Sequence, residues 1–237
     1  VIPVTREHDG ILVVRDDLFP GGTKARFIPR LFDGADEVVY ASPCQGGAQY
    51  ALAFVAQQLG KRATIFVARR GKPHARQFEA KRLGAKVVLV EPGYLNVVQA
   101  RARDYATAAG ARLAPFGMDL PGAIDVISDA ALSLKLVPDH VYCAAGSGTL
   151  CRSLIKAWPK AQHHAIAVGR DIPPDKVGHC DLYRYHRPFE ATGKPTPFPS
   201  DPHYEAKAWE VAKARYHPSS CLVVFWNVTG PAQEASP

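Results

Sequence analysis

The 237-residue sequence has no run of about eighteen apolar residues, which excludes an ordinary membrane-spanning helix. Residues 1–14 lack a charged start followed by an apolar stretch, so no secretory leader is expected. Cys44, Cys143, Cys151, Cys180 and Cys221 form an odd set without a Cys-x-x-Cys pair. That pattern suits a reducing cytoplasm and argues against a disulfide framework. His163, His164, His179, His186 and His203 show no zinc-site spacing, so no metal is expected. No repeat of solenoid type is present. What remains is a globular composition, 47% hydrophobic, able to bury a core as one compact unit or two small lobes.

Charge is biased to one sign. Lys and Arg number 29 against 22 Asp and Glu, giving +7 and a pI near 9.2. Many basic positions fall between Lys61 and Arg112, including Arg69, Arg70, Lys72, Arg101 and Arg103. Such a bias speaks of anionic partners and not of fold. Arg69-Arg70-Gly71-Lys72 reads as a strand-to-helix loop, where basic side chains are free to meet an anion, although a merely solvated helix face accounts for the same charges.

Apolar runs alternate with helical periodicity. Strands are expected at Glu37–Tyr40, Ala63–Ala68, Lys86–Val90, around Val141 and at Ala165–Val168, with a further strand near the C-terminus. Helices are expected at Gln49–Leu59, Ala75–Leu83, Asn96–Ala109 and Leu150–Trp158, and one element covers Ile124–Leu136. Gly60, Gly84 and Gly110 read as helix C-cap signals. Alternation of this kind implies an α/β fold with parallel sheet. Residues 40–118 read as a small α/β lobe, and residues 1–39 with 119–237 as a second, larger one. The proline-rich stretch through Pro188, Pro195, Pro197, Pro199 and Pro202 is expected to wrap the surface without a core of its own.

Three segments carry chemistry. In Arg15-Asp16-Asp17-Leu18-Phe19-Pro20-Gly21-Gly22-Thr23-Lys24-Ala25-Arg26, two glycines and a helix start surround Lys24. Close backbone and a helix N-terminus suit an amine that must be partly deprotonated to attack a carbonyl, although most lysines beside glycine are plain turn residues. Val141 to Ala145 is an apolar run entering Gly146-Ser147-Gly148-Thr149 and then a helix. Free amides and two hydroxyls there suit a phosphate, but no lysine follows as in a Walker loop. Leu222 to Gly230 reads as a buried strand ending on the hydroxyl of Thr229.

In order and spacing, these segments resemble the fold-type II pyridoxal-phosphate (PLP) enzymes of the tryptophan synthase β-like superfamily. They are most similar to its aminocyclopropane-carboxylate deaminase and D-cysteine desulfhydrase branch. The resemblance runs from about Ile11 to Gly230 and implies two parallel-sheet lobes with the cofactor cleft between them. It implies Lys24 as the Schiff-base lysine, Gly146, Ser147, Gly148 and Thr149 on the cofactor phosphate, and Thr229 at the pyridine nitrogen. Tyr204-Glu205-Ala206-Lys207-Ala208 is similar to the family's Tyr-Thr-Gly-Lys-Ala, and Tyr204 becomes a candidate acid–base group beside its reading as a structural tyrosine. Ser42, Gln45, Gly46, Gly47 and Ala48 fall on the loop that binds substrate carboxylate.

The chain departs from the family where Gly47 stands in place of an Asn, and where Val228 and Pro231 replace a His and a Gly. The first departure opens space beside the cofactor. Two substrate classes follow. One is a free small amino acid undergoing deamination or β-elimination. The other, favoured here, resembles small bacteriophage members of thymine hypermodification pathways, in which an amino acid already joined to a DNA base is decarboxylated. Basic side chains would track the DNA phosphates around an exposed base. A non-enzymatic, cofactor-carrying or nucleic-acid-binding relic of the fold is the third reading. The expected location is cytoplasmic (a host's cytoplasm if phage-encoded), with no membrane partner and homodimerisation left open.

Overall fold

The computed structural model describes residues 1–169, 171–216 and 221–233. The chain opens with β1 (Val4–His8) and β2 (Ile11–Arg15), an antiparallel hairpin. Asp9 and Gly10 turn it at φ 52° and 78°, the left-handed pair that a two-residue hairpin loop requires. A 3-10 turn over Asp16–Leu18 and the short helix α1 (Gly22–Ala25) follow.

Residues 24–118, joined by Ala232 and Gln233, make up one of two compact units. Its elements are β3 (Glu37–Ala41), α2 (Ala48–Gln58), β4 (Arg62–Ala68), α3 (Ala75–Arg82), β5 (Lys86–Val90), α4 (Leu95–Ala109) and β6 (Arg112–Leu113). The four strands pair in parallel in the order β5-β4-β3-β6. Val39, Ala41, Phe66 and Ala68 point to one face, where α4 covers them with Val98, Ala102 and Ala106. Val38, Tyr40, Ile65 and Val67 alternate with them and are equally buried, as a sheet covered on both faces demands. Glu37 binds this unit together: its carboxylate accepts from Thr64, Tyr105 and Arg62. Burial alone would raise its pKa, but those hydrogen bonds prevail and hold it below the ordinary value.

The sequence pattern places the boundary after residue 39; the structure draws it after Thr23. The reason is visible in the 3-10 helix Ile28–Phe32, whose carbonyls are claimed from within this unit. Lys61 donates to Phe32 O and Ala35 O at 3.1 and 2.7 Å, and Arg112 donates to Leu31 O at 3.0 Å.

The other unit comprises residues 1–23 and 119–231. It continues with α5 (Ala123–Leu132), β7 (His140–Ala145), α6 (Thr149–Ala157), β8 (Gln162–Ala167), α7 (Pro174–Val177), β9 (Asp181–Arg184), α8 (Glu205–Arg215) and β10 (Val223–Asn227). The six-stranded sheet runs β1-β2-β10-β7-β8-β9 and is parallel except for β1 on β2. Tyr142, Ala144, Ile166 and Phe225 meet Trp209 and Ala212 of α8 in its core. The element expected over Ile124–Leu136 stops at Leu132, and Lys135 turns the chain with φ 54°.

The proline-rich stretch is not a coreless wrap. Phe198 is buried and set edge-on to Trp209 at 4.9 Å, with Phe225 at 6.0 Å. Asn227 donates to Pro199 O at 2.9 Å, and Lys207 donates to Pro188 O and Phe189 O at 3.0 Å each. Prolines give this segment its extended shape, but its two phenylalanines decide where it packs. No described helix is long and apolar enough to cross a membrane.

A ladder of rings crosses the N-terminal ends of β7, β8 and β9. His164 stacks on Tyr142 at 4.2 Å, its Nε2 lies 3.1 Å from His140 Nδ1, and its Nδ1 lies 3.3 Å from Asp181. Burial pushes His164 down to about 4, against the pull of Asp181, with His140, His163 and Arg215 adding to the depression. The unfolded chain therefore binds this proton near pH 6.5 and the folded chain only near 4. Stability is lost as pH falls through that window. Melting curves at pH 7 and pH 4.5 should show a smaller loss for His164→Phe than for the parent; equal losses would contradict the assignment.

Candidate functional site

The parallel register gathers the three chemical segments at one sheet edge. β2 pairs β10 with Arg15 opposite Asn227, and β10 pairs β7 with Trp226 opposite Cys143. Three neighbouring strands thus end together, and each is followed by one of the segments singled out in the sequence. β2 leads to the Lys24 turn, β10 to Thr229, and β7 to Gly146–Thr149. The carboxyl edge of a parallel sheet is where α/β folds place their ligands.

Arg15 anchors the first segment through a buried bidentate pair with Asp17, at 2.8 and 2.7 Å. The chain then passes through Gly21 and Gly22 at φ 84° and 69°. A Cβ on Gly22 would sit 2.5 Å from Val228 O and 3.3 Å from Thr229 Cβ, so only glycine permits this approach. Thr23 N donates to Val228 O at 3.1 Å, and Trp226 Nε1 donates to Thr23 Oγ1 at 3.0 Å. Lys24 follows, half-buried, in α1. Thr229 is buried, and its carbonyl accepts from Asp201 N at 3.1 Å.

The Gly146–Thr149 loop has the form of an anion cradle. Among the described residues, no backbone bond uses the amides of Ser147, Gly148 or Thr149. The hydroxyls of Ser147 and Thr149 lie 3.1 Å apart, and α6 begins at Thr149. Free amides, paired hydroxyls and a helix N-terminus together fit a phosphate group. Tyr204 closes one side: its Cε1 would lie 3.4 Å from a Cβ on Gly146. Behind the loop, Arg152 pairs with Asp119 at 2.7 Å.

The Ser42–Ala48 loop belongs to the other unit. Ser42 donates its hydroxyl to Pro43 O at 2.9 Å, so that proton is committed within the loop. A Cβ on Gly46 would meet Ser42 Oγ at 2.7 Å, which fixes glycine there. Gln49, not singled out in the sequence, is fully buried and donates to Pro43 O and Cys44 O at 2.8 and 2.9 Å. This clamp turns both carbonyls inward, and among the described residues no backbone bond uses the amides of Gln45, Gly47 or Ala48. Gln45 itself is half-buried. Gly47 and Ala48 offer amides there but no polar side chain.

Lys207 of the Tyr204–Ala208 motif is fully buried, and its ammonium meets Val168 O, Pro188 O and Phe189 O at 3.3, 3.0 and 3.0 Å. Desolvation, with Arg187 nearby, lowers its pKa. A depressed pKa would ordinarily recommend a lysine as nucleophile. Here all three N–H groups are spent on backbone carbonyls, so Lys207 is a structural cross-link. Arg69, Arg70, Lys72, Arg101 and Arg103 are all exposed. Arg69 lies 3.5 Å from Glu91 and Arg101 4.0 Å from Asp104. Among the described residues no His, Cys, Asp and Glu cluster could hold a metal ion.

Gly148 is the tightest point of the cradle. At φ 85°, a Cβ would fall 1.9 Å from Lys176 O in α7. Gly148→Ala should cost roughly 1–3 kcal/mol from backbone strain alone, before the clash is counted. Thermal melting of the apoprotein measures this, and an unchanged melting temperature would contradict the close approach of α7.

Comparison with known proteins agrees with this geometry. The sequence profile of the family described as "Pyridoxal-phosphate dependent enzyme" matches residues 11–203. No curated protein sequence matches significantly. Among solved structures, an ACC deaminase homologue superposes with TM-score 0.80 at 19% identity, covering 93% of this chain and 84% of its own. O-ureido-L-serine synthase gives TM-score 0.72 at 16% identity, covering 96% and 88%. A threonine deaminase from T.th. gives 0.69 at 16%, covering 96% and 89%. Identities this low speak for the fold alone; the profile match over most of the chain speaks for the family. The chain belongs to the pyridoxal-phosphate dependent enzymes, in their fold-type II class, and pyridoxal 5'-phosphate is its cofactor.

Proposed function

We propose that this protein is a lyase acting at the Cα of an amino acid, with Lys24 as its cofactor-bearing residue. The supporting observation is the fixed turn Gly21–Thr23, which delivers Lys24 from the sheet edge shared by Thr229 and the Gly146–Thr149 cradle. Bound pyridoxal phosphate supplies an electron-poor ring that stabilises negative charge at Cα. Gly146, Ser147, Gly148 and Thr149 would hold its phosphate, and the Thr229 hydroxyl its ring nitrogen. Lys24 Nζ would move the proton at Cα, with Tyr204 as a second proton-handling group beside the cradle. The amides of Gln45, Gly47 and Ala48 would orient the substrate carboxylate.

For the substrate, the reading favoured here is an amino acid carried on a thymine base in DNA and decarboxylated there. It rests on Gly47 and Ala48, which put no polar side chain at those two positions of the carboxylate loop, and on exposed Arg70, Lys72 and Arg103. Among the described residues none of the three pairs with a carboxylate. A free small amino acid undergoing deamination or β-elimination is the alternative. Its support is the Gln49-clamped loop, which retains amides suited to a small carboxylate.

Lys24→Ala should abolish both turnover and the visible absorbance of the lysine-bound cofactor while leaving the fold intact. The substrate assay offers amino-acid-modified DNA beside serine, D-cysteine and aminocyclopropane carboxylate. Carbon dioxide release with a mass change in the DNA nucleosides supports the DNA reading. DNA binding should also weaken with salt, at a log–log slope of about −0.9 per phosphate contact, and Arg70→Ala with Lys72→Ala should flatten it. Ammonia and a keto acid formed from a free amino acid, with DNA inert, would replace that reading by the alternative.

A further inference from the structure

The turn before Lys24 is held from the far end of the chain by one side-chain pair. Trp226 is fully buried in β10, and Thr23 is 2% exposed. Trp226 Nε1 donates to Thr23 Oγ1 at 3.0 Å. The indole N–H has one proton and spends it there. The second bond of the staple, Thr23 N to Val228 O, fixes the backbone of the same residue. Thr23 is therefore restrained in both main chain and side chain by two residues that shortly precede Thr229.

Acceptance of the indole proton also orients the Thr23 hydroxyl. Its own hydrogen must point away from Trp226. The neighbouring Gly22 lies close against Val228 and Thr229, where a Cβ would come within 2.5 Å of Val228 O and 3.3 Å of Thr229 Cβ. A hydroxyl so fixed cannot rotate freely, and the Gly22–Thr23 peptide, one residue before Lys24, cannot tilt without breaking its bond to Val228 O.

We propose that Thr23 and Trp226 are positioning residues for the Lys24 amine: their hydrogen bond sets the direction from which Lys24 leaves the sheet edge. The inference rests on the reading of Lys24 as the cofactor-bearing lysine. A positioning bond acts on orientation, so its loss should reach the chemistry more than the affinity. It should also alter the environment of the lysine nitrogen, which the pH dependence of the visible cofactor band reports.

The test compares Thr23→Val, Thr23→Ser and Trp226→Phe in the holoenzyme with Lys24→Ala as reference. Thr23→Val keeps the shape but removes the acceptor, Thr23→Ser keeps the acceptor, and Trp226→Phe removes the donor. Thr23→Val and Trp226→Phe should shift the midpoint of the cofactor band, and Thr23→Ser should restore it to near the parent value. With a substrate in hand, kcat should fall roughly tenfold or more in the first two variants with little change in KM. If Thr23→Val does not fold, Trp226→Phe decides by the same readouts. A lower melting temperature with an unmoved band and unchanged kcat would overturn the proposal and leave the pair merely structural. If instead the band survives Lys24→Ala, the parent reading fails and the proposal with it.

Discussion

The site depends on one close approach: the Gly21–Gly22–Thr23 turn pressed against the end of β10. Gly22 leaves no space for a Cβ before Val228 O. Because β2 and β10 are parallel neighbours, the strand leading into the turn and the strand it rests on end at the same level. β7 lies on the other side of β10 and ends there too. A lysine turn, a hydroxyl and a phosphate-type loop lie far apart in the chain, yet their order follows from a single strand sequence, β2-β10-β7. Moving β10 to an edge would separate them.

Buried polar groups around this edge are satisfied in ways that distinguish support from chemistry. Arg15 with Asp17 is a buried ion pair at the base of the Lys24 turn, and Arg152 with Asp119 is a partly exposed one. The buried pair is costly to break because the remaining charge is left in a poor solvent. Lys207 uses its ammonium to draw Val168, Pro188 and Phe189 together beneath Tyr204. A nucleophilic lysine must be able to exchange its protons, whereas Lys207 would abandon buried carbonyls by doing so. Position in the fold, more than a depressed pKa, recommends Lys24 over Lys207 for the proposed role.

The regular α/β pattern was legible in the sequence because apolar period and glycine caps agree. β5 lies at Lys86–Val90 as expected, and Gly60, Gly84 and Gly110 all adopt the left-handed conformation of a C-cap. The first hairpin escaped notice because β1 is largely exposed and lacks clean alternation. α8 was hidden because its surface is buried almost all round, through Glu205, Lys207 and Trp209, so no single apolar stripe marks it. The Phe198 anchor was masked by the prolines around it. At the candidate site, local motifs single out Lys24, Thr229 and the Gly146 loop, and the strand register brings their segments to one sheet edge. Gln49 and the Thr23–Trp226 bond could not be read locally, since one is a buried amide in an otherwise ordinary helix and the other joins residues 203 positions apart.

The most direct measurement is reductive trapping of the bound cofactor with borohydride, followed by peptide mapping. The account predicts label on the peptide carrying Lys24 and none on Lys207, whose ammonium is committed to three carbonyls. Label on Lys207, or on any lysine other than Lys24, would contradict it.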